Sequence, residues 1–287
     1  MSKLPDATHL GSFTLTVADL SRSVEFYSQI LGIPLISQSD GTAALGTDGR
    51  PLVVLHENTN AKRVPRNSTG LYHAAILLPT RADLGRLITH LAQIKAPMSG
   101  YADHLVSEAF YLNDPDGNGI ELYRDRPRSE WPMAGDLVQM DNAQINFDEF
   151  FGDAEREGKA WTGMPSGTTL GHMHLKIGND KEAEAFYTGV VGFSVMAYYP
   201  SAVFVSAGGY HHHLGLNMWE SRGGSVKPAD SVGLEEWSII VPDADALDAV
   251  ADRLTNAGAA IEHGDDFVLF ADPWGTKARI MVSSSAE

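Results

Sequence analysis

One pattern occurs four times along this chain of 287 residues, and it constrains the fold more than any other feature. The segments "FTLTVADLSRSVEFYSQILG" (13–32) and "MHLKIGNDKEAEAFYTGVVGF" (173–193) each combine an alternating strand, a helical stretch with a Phe-Tyr pair and a Gly stop. The segments "HAAILLPTRADLGRLITHLAQIKAP" (73–97) and "EWSIIVPDADALDAVADRLTNAGAA" (236–260) share a variant in which the strand ends at Pro and a Leu- and Ala-rich amphipathic helix follows. Strand, helix and turn therefore recur in register.

Short β-rich stretches separated by Gly, Asp and Asn follow each helix, and the second and fourth copies end alike, in "NDPDGNGIELY" and "ADPWGTKARIMV". The alternative is two unrelated α+β domains with chance similarity, which does not account for the shared register. The sequence predicts an α+β fold of four βαβββ modules at 9–57, 70–124, 170–220 and 232–284.

The stretch between the second and third modules is polar and irregular, with a short helix predicted near 146–157. We therefore expect three parts of the chain. They are an N-terminal domain at 1–130 with modules one and two, a linker at 131–168, and a C-terminal domain at 169–287 with modules three and four.

Composition narrows the function classes. A formal net charge of −16 argues against nucleic acid or an anionic membrane surface as a partner. No apolar run reaches the ~20 residues of a membrane span, and "MSKLPDATHL" lacks the apolar core of a signal peptide, so we expect a cytoplasmic protein. The chain has no Cys, so any metal must be held by its 11 His and its carboxylates, which favours iron, manganese or zinc.

The four-module arrangement resembles the vicinal oxygen chelate superfamily, which includes glyoxalases, extradiol dioxygenases and antibiotic-resistance proteins. The likeness covers nearly the whole chain and is nearest to the catechol-2,3-dioxygenase-like branch. It implies the glyoxalase/bleomycin resistance/extradiol dioxygenase fold, in which modules face each other across open barrel-like clefts. Because one fold hosts several chemistries, the site must decide the function.

The resemblance places metal ligands on the first and last strands of two facing modules. Those positions hold His73 and Glu121 in the second module and His172 in the third. The aligned positions of the other two modules hold Ser12, Glu236 and Arg279. Modules two and three together thus supply a 2-His-1-carboxylate set, which leaves three coordination positions open and is typical of non-haem Fe(II) oxygenases. We predict that the working cleft lies between them and that the pairing of modules one and four holds no metal.

Each ligand has a simpler interpretation when it is taken alone. His73 could be a strand-start histidine with a backbone partner, and Glu121 could pair with Arg124 or Arg126. The agreement of three separate positional counts favours the metal site.

The segment "DHLVSEAFYLNDPDGNGIE" (103–121) resembles the extradiol dioxygenase signature, with one departure at Ala102. The resemblance implies that His104 and Tyr111 lie beside the metal and act in catalysis. The tract "SAGGYHHHLGLNMW" (206–219) carries three His where a glyoxalase-like enzyme would want Glu. By resemblance, one of these histidines is the acid/base of ring cleavage.

Strand alternation puts His211 and His213 on one face and His212 on the other. We predict His213 as the acid/base, with His211 second, and Asn217 as a substrate-lining residue further along the same face. The alternative for the tract is a solvated or incidental metal-binding group of histidines.

The resemblance and these residues predict an extradiol dioxygenase of aromatic degradation that opens a catechol-type diol. The predicted cofactor is Fe(II), with Mn(II) as the alternative, and O2 is the co-substrate. We expect a small aromatic diol as substrate, no nicotinamide or flavin, and a homo-oligomer. The competing hypotheses are another metal-dependent enzyme of glyoxalase or thiol transferase type, and a non-enzymatic aromatic drug-binding protein.

Overall fold

The computed structural model describes residues 3–283 and confirms an α+β fold of four βαβββ modules. The first module contains β1 (His9–Val17), α1 (Leu20–Glu25), a π-helix (Phe26–Ile30), β2 (Leu35–Ser39), β3 (Thr42–Thr47) and β4 (Arg50–Glu57). The second contains β5 (Gly70–Leu77), α2 (Arg81–Gln93), β6 (Met98–Asp103), β7 (Ser107–Asn113) and β8 (Gly119–Asp125). A connecting segment follows, with a 3-10 helix (Arg128–Glu130), β9 (Met133–Ala134), β10 (Leu137–Val138) and α3 (Phe147–Glu157).

The second half of the chain repeats the order. The third module contains β11 (Thr169–Lys176), α4 (Asp180–Glu184), a π-helix (Ala185–Val191), β12 (Ser194–Tyr199), β13 (Ala202–Ser206) and β14 (Leu214–Asn217). The fourth contains β15 (Gly233–Val241), α5 (Ala244–Asn256), β16 (Ile261–His263), β17 (Phe267–Ala271) and β18 (Lys277–Val282).

Short polar side chains begin the helices that follow the first strand of each module. Thr80 accepts a hydrogen bond from the backbone N–H of Asp83 at the start of α2, and Asp243 accepts one from Ala246 at the start of α5. Such caps satisfy backbone donors that the first helical turn leaves free. The apolar side of α2, which includes Leu84, then packs into the main core.

Modules pair across the two halves of the chain. One eight-stranded sheet has the order β16-β17-β18-β15-β1-β4-β3-β2 and joins modules four and one. The other has the order β12-β13-β14-β11-β5-β8-β7-β6 and joins modules three and two. In each sheet the first strands of the two modules meet antiparallel, β1 with β15 and β5 with β11. The predicted facing of modules two and three is therefore confirmed.

Two equivalent tyrosine contacts tie the sheets together. The hydroxyl of Tyr27 in module one donates to Asp114 Oδ2 in module two over 3.2 Å, and Tyr187 in module three donates to Asp272 Oδ2 in module four over 3.0 Å. All four residues are buried. Each tyrosine belongs to a repeated Phe-Tyr pair and each aspartate to an Asp-Pro turn, so the repeat encodes contacts between modules as well as elements.

The connecting segment carries the predicted helix, which begins after Asn146 as α3. Each sheet takes one module from residues 1–130 and one from residues 169–287, so the division into consecutive domains stays a prediction. Residues 1–2 and 284–287 of the two predicted domains lie outside the described residues. Within residues 3–283, no helix has both the length and the apolar character needed to cross a membrane.

Candidate active site

Three side chains from modules two and three converge at the middle of the second sheet. The Nε2 atoms of His73 and His172 lie 2.9 Å and 3.3 Å from the same oxygen, Glu121 Oε2. Candidate ligand atoms of the three residues all lie within 4.8 Å of one another, and all three side chains are buried. His73 Nε2 is close to this oxygen but is not aligned for a hydrogen bond with it. Two nitrogens and an oxygen thus point toward one common centre.

The strand register explains how the sequence brings them together. Glu121 on β8 lies opposite Ala75 on β5, and Ala75 lies opposite His172 on β11. Residues in one such row project from the same face of a sheet, and His73, two positions before Ala75, projects from that face too. The methyl side chain of Ala75 leaves room at the centre for the three longer groups. Neighbouring repeats in this register therefore build the cluster.

Charge and burial give Glu121 and His172 the protonation states that metal ligands need. Burial alone raises the pKa of Glu121, but the adjacent His172 and His73 lower it more, and the pKa lies well below its usual range. Burial lowers the pKa of His172 to about 4. An ionised carboxylate beside a neutral imidazole is a donor set that fits a divalent transition metal. His73, Glu121 and His172 therefore fit a bound divalent transition metal.

A cavity of about 710 Å³ opens above the cluster and has the size of a small-molecule site. Both modules contribute to its wall. The members from module two include Tyr72, Tyr101, His104 and Tyr111, and those from module three include His174, Lys176, Phe204, His212 and Trp219.

The structure places His104 and Tyr111 together in this wall. His104 Nε2 lies 2.6 Å from the hydroxyl of Tyr111, and the Tyr111 ring lies 5.6 Å from that of His73. Burial, and then the charge of Glu121, raise the pKa of Tyr111 well above its usual value. Tyr111 therefore keeps its proton at neutral pH, with His104 as its hydrogen-bond partner.

The histidine tract is arranged differently from the expectation of strand alternation. His212 lines the cavity, whereas His211 and His213 do not. The reason is that β14 begins only at Leu214 and is preceded by a turn at Gly208 and Gly209, whose φ angles are 59° and 65°. Alternation applies within a strand and not across this turn.

His213 is held behind the wall. Its Nδ1 accepts a hydrogen bond from the backbone N–H of Ala207 at 3.2 Å and lies 2.8 Å from the hydroxyl of Ser206. Asn217 is also fully buried outside the lining, where its side-chain oxygen accepts from the backbone N–H of Trp219. Neither residue occupies the cavity position that sequence reasoning gave it.

His211 connects the cavity to an acidic side chain. Its Nε2 lies 2.8 Å from Asp125 Oδ1, and its Nδ1 lies 2.8 Å from His212 Nδ1. A carboxylate only accepts, so the neutral tautomer that fits both contacts has His211 donating from Nε2 and accepting at Nδ1. His212 then carries its proton on Nδ1, and its Nε2 is unprotonated.

Strand alternation turned His212 away from the predicted site, and His174 was not among the predicted site residues, yet both line the cavity. A usable signal for His174 was present, because β11 places His172, His174 and Lys176 at alternate positions and all three line the cavity.

The corresponding positions of modules one and four are filled by an ion pair. Arg279 donates from Nε to Glu236 Oε1 at 2.9 Å and from Nη2 to Glu236 Oε2 at 3.1 Å. The guanidinium of Arg279 therefore pairs with the Glu236 carboxylate, which a bound cation would need as a ligand. The absence of metal there stays a prediction.

A family model described as Glyoxalase/Bleomycin resistance protein/Dioxygenase superfamily matches residues 9–122 and 169–279. Over 283 residues the chain is 44% identical to a Catechol-2,3-dioxygenase of Bacillus subtilis (strain 168), across 95% of this chain and 96% of the relative. It is also 25% identical to the Metallothiol transferase FosB of Lysinibacillus sphaericus (strain C3-41), over 40% of this chain and 80% of that protein.

Solved structures agree on the fold. A crystal structure from Bacillus subtilis subsp. subtilis str. 168 matches with a TM-score of 0.67 at 13% identity, covering 100% of this chain and 87% of that one. Glyoxalase I from Zea mays matches with a TM-score of 0.59 at 16% identity, covering 96% and 92%. By the family match and the full-length likeness, the chain belongs to the glyoxalase/bleomycin resistance protein/dioxygenase superfamily, in its catechol-2,3-dioxygenase-like branch.

Proposed function

We propose that this protein is an extradiol dioxygenase that opens the ring of a catechol-type diol with O2. The observation that carries the proposal is the convergence of His73, Glu121 and His172 beneath a cavity that also presents His104, Tyr111 and His212. The full-length likeness to a catechol-2,3-dioxygenase supports the same reaction class.

His73, Glu121 and His172 would hold the metal, for which we propose Fe(II), with Mn(II) as the alternative. Held by these residues, such an ion would supply Lewis-acid and redox chemistry to the diol and O2 and would favour loss of a phenolic proton. The chain itself presents two imidazoles and one carboxylate in a buried pocket.

We assign the acid/base role to His212, since it reaches the cavity and His211 and His213 do not. The hydrogen bonds from Asp125 through His211 leave its Nε2 as an acceptor. His212 can therefore take a proton from the reacting diol at Nε2 and return it later. Asp125 and His211 are positioning residues in this scheme because they act through His212.

Tyr111 and His104 face the cluster from module two. His104 Nδ1 lies 3.1 Å from the backbone carbonyl oxygen of Asp141, which only accepts, so in the neutral tautomer Nε2 accepts from the Tyr111 hydroxyl at 2.6 Å. The oxygen of that hydroxyl is then left to accept a hydrogen bond from a substrate hydroxyl. The ring of the diol would then lie between this pair and the side chains of module three, including Phe204. Burial around the cluster excludes bulk water from the reacting atoms.

The competing functions make different demands on the site. A glyoxalase-type enzyme would want a fourth ligand from the end of module three, where this cavity presents His212. A drug-binding protein would not need a buried His-Glu-His cluster. Cytoplasmic location and homo-oligomeric assembly stay predictions.

Ring cleavage is tested by loading the protein with Fe(II) without oxygen, adding catechol and then air. We expect the yellow ring-fission product, at a rate that E121Q abolishes. Conversion of methylglyoxal and glutathione, or of a thiol and an epoxide, without any ring fission would contradict the proposal in favour of another reaction of the superfamily.

A further inference from the structure

The face of β11 that begins at the metal cluster continues as a polar wall toward the cavity mouth. His172, His174 and Lys176 occupy alternate positions and all line the cavity. A strand rises about 3.3 Å per residue, so Lys176 is attached roughly 13 Å from His172 along the strand. The wall therefore offers polar groups well beyond the place where a diol would bind.

Lys176 is the only Lys or Arg in the cavity lining among the described residues. Its side chain is 12% exposed, and its Nζ lies 3.9 Å from Glu220 Oε2, which is beyond hydrogen-bond distance. Glu220 itself is 58% exposed. Burial lowers the pKa of Lys176, although Glu220 opposes that shift. A largely buried ammonium with such a distant counter-charge is stabilised when an anion reaches it.

His174, between the metal end and Lys176, also has an unused polar atom. Its Nε2 is buried and has no hydrogen-bond partner in the described part of the chain. The imidazole packs against Tyr72, Trp219 and Phe204 at ring distances of 5.1 Å, 5.3 Å and 5.7 Å. His174 therefore contributes an aromatic ring, packed among other aromatic rings, to the cavity wall.

The fit of this ring is built into the fold. A Cβ atom on Gly215, beside His174 in the next strand, would lie 2.8 Å from the imidazole. Glycine at this position leaves the space that the ring occupies. His174 is therefore held toward the cavity by close packing on both sides.

We propose that the substrate is an aromatic diol that bears a carboxylate on a short side chain, and that Lys176 binds this carboxylate. The inference rests on the proposed ring cleavage and names the substrate class of the same cavity. The diol end lies at the cluster, the ring lies against His174 and Phe204, and the carboxylate lies at the ammonium near the mouth. Glu220 competes with the substrate for Lys176.

The test compares dihydroxyphenylacetate with its methyl ester, which has nearly the same shape and no charge. We measure kcat/KM for both in the Fe(II)-loaded protein and its variants. The wild-type protein should prefer the acid. K176M should reduce the acid-to-ester ratio by roughly tenfold to hundredfold, the range expected for a lost charge-assisted hydrogen bond. K176R should retain most of the preference.

Two further variants test the direction of the effect and its specificity for Lys176. E220Q removes the competing carboxylate and should raise the acid-to-ester ratio. K227M is the matched control, because burial also lowers the pKa of Lys227 and this residue lies outside the cavity lining. It should leave the ratio unchanged.

The two proposals fail in different ways. Cleavage of both diols with no preference, or with equal losses in K176M, overturns the carboxylate inference and leaves ring cleavage standing. If neither diol is cleaved, ring cleavage fails, and calorimetric binding of the acid and ester without oxygen decides the inference. Tighter binding of the acid than of the ester, lost in K176M, supports the carboxylate inference. Equal affinities for acid and ester in the wild-type protein overturn it.

Discussion

Glu121 and His172 are 51 positions apart and belong to different modules, yet His172 Nε2 lies 3.3 Å from Glu121 Oε2. If this contact marks a metal site, E121Q should fold and lose most of its metal affinity. Loss of a group outside the ligand set typically costs 10–100-fold in affinity, so we expect more than about 100-fold for this ligand. Metal content after dialysis against limiting Fe(II) measures the effect.

The chain supplies a matched control for this variant. Glu236 holds an aligned position in the other sheet but pairs with Arg279. E236Q should bind metal as well as the wild-type protein. Equal metal content in E121Q and the wild-type protein would remove Glu121 from the ligand set.

The hydrogen-bond chain from Asp125 through His211 to His212 predicts a graded loss of activity. H212A should lower kcat about 10²–10⁴-fold, the usual contribution of a general acid/base. D125N should lower kcat less, since it disturbs only the tautomer and orientation of His212. Both variants should keep the metal content of the wild-type protein, which is measured on the same samples.

The two variants also separate the roles. A large loss in H212A with full activity in D125N would show that Asp125 does not position His212. Full activity in H212A would return the acid/base role to another residue of the cavity.

The sequence was sufficient for the fold and the cluster because both follow from the repeat. Strand lengths and turns recur at constant spacing, so counting from the Phe-Tyr pair or the Asp-Pro turn finds His172 and Glu121. The choice of ligand types then fixed which modules face each other, as the sheet order confirms.

Features that depend on irregular backbone or distant contacts could not be found in this way. The orientation of His212 is set by a glycine turn that interrupts alternation, and His211 meets Asp125 across 86 positions. The repeat pattern gives no sign that Tyr27 and Asp114 form a hydrogen bond between modules. Local patterns identify elements, and packing between modules decides the partners.

The buried ion pairs of Glu108 on β7, away from the cavity, predict that a substitution there lowers the free energy of unfolding. It is fully buried, and it accepts from Arg81 Nη2 at 2.6 Å and from Arg124 Nε at 2.8 Å. E108Q would leave two guanidinium groups without their buried counter-charge. Breaking such a buried pair typically lowers the free energy of unfolding by about 3–5 kcal/mol.

Urea denaturation of E108Q measures this loss, and D230N is its control. Asp230 pairs with Lys62 at 2.6 Å, but both side chains are exposed, and exposed pairs contribute little. Similar unfolding free energies for E108Q and D230N would show that the buried network does not stabilise the fold.

His213 predicts how stability depends on pH. Burial lowers its pKa to about 3, and Nδ1 accepts from the backbone of Ala207, so the folded protein holds the imidazole neutral. The unfolded chain binds a proton near the usual pKa of about 6.5, so this contribution to stability is full above that pH and is lost as pH falls toward the folded value.

H213N keeps a hydrogen-bond acceptor and cannot titrate. Between about pH 8 and pH 5, the wild-type protein should lose about 2 kcal/mol more unfolding free energy than H213N does. Parallel losses in the metal-free proteins would mean that His213 already carries its proton in the folded state, contrary to the hydrogen bond from Ala207.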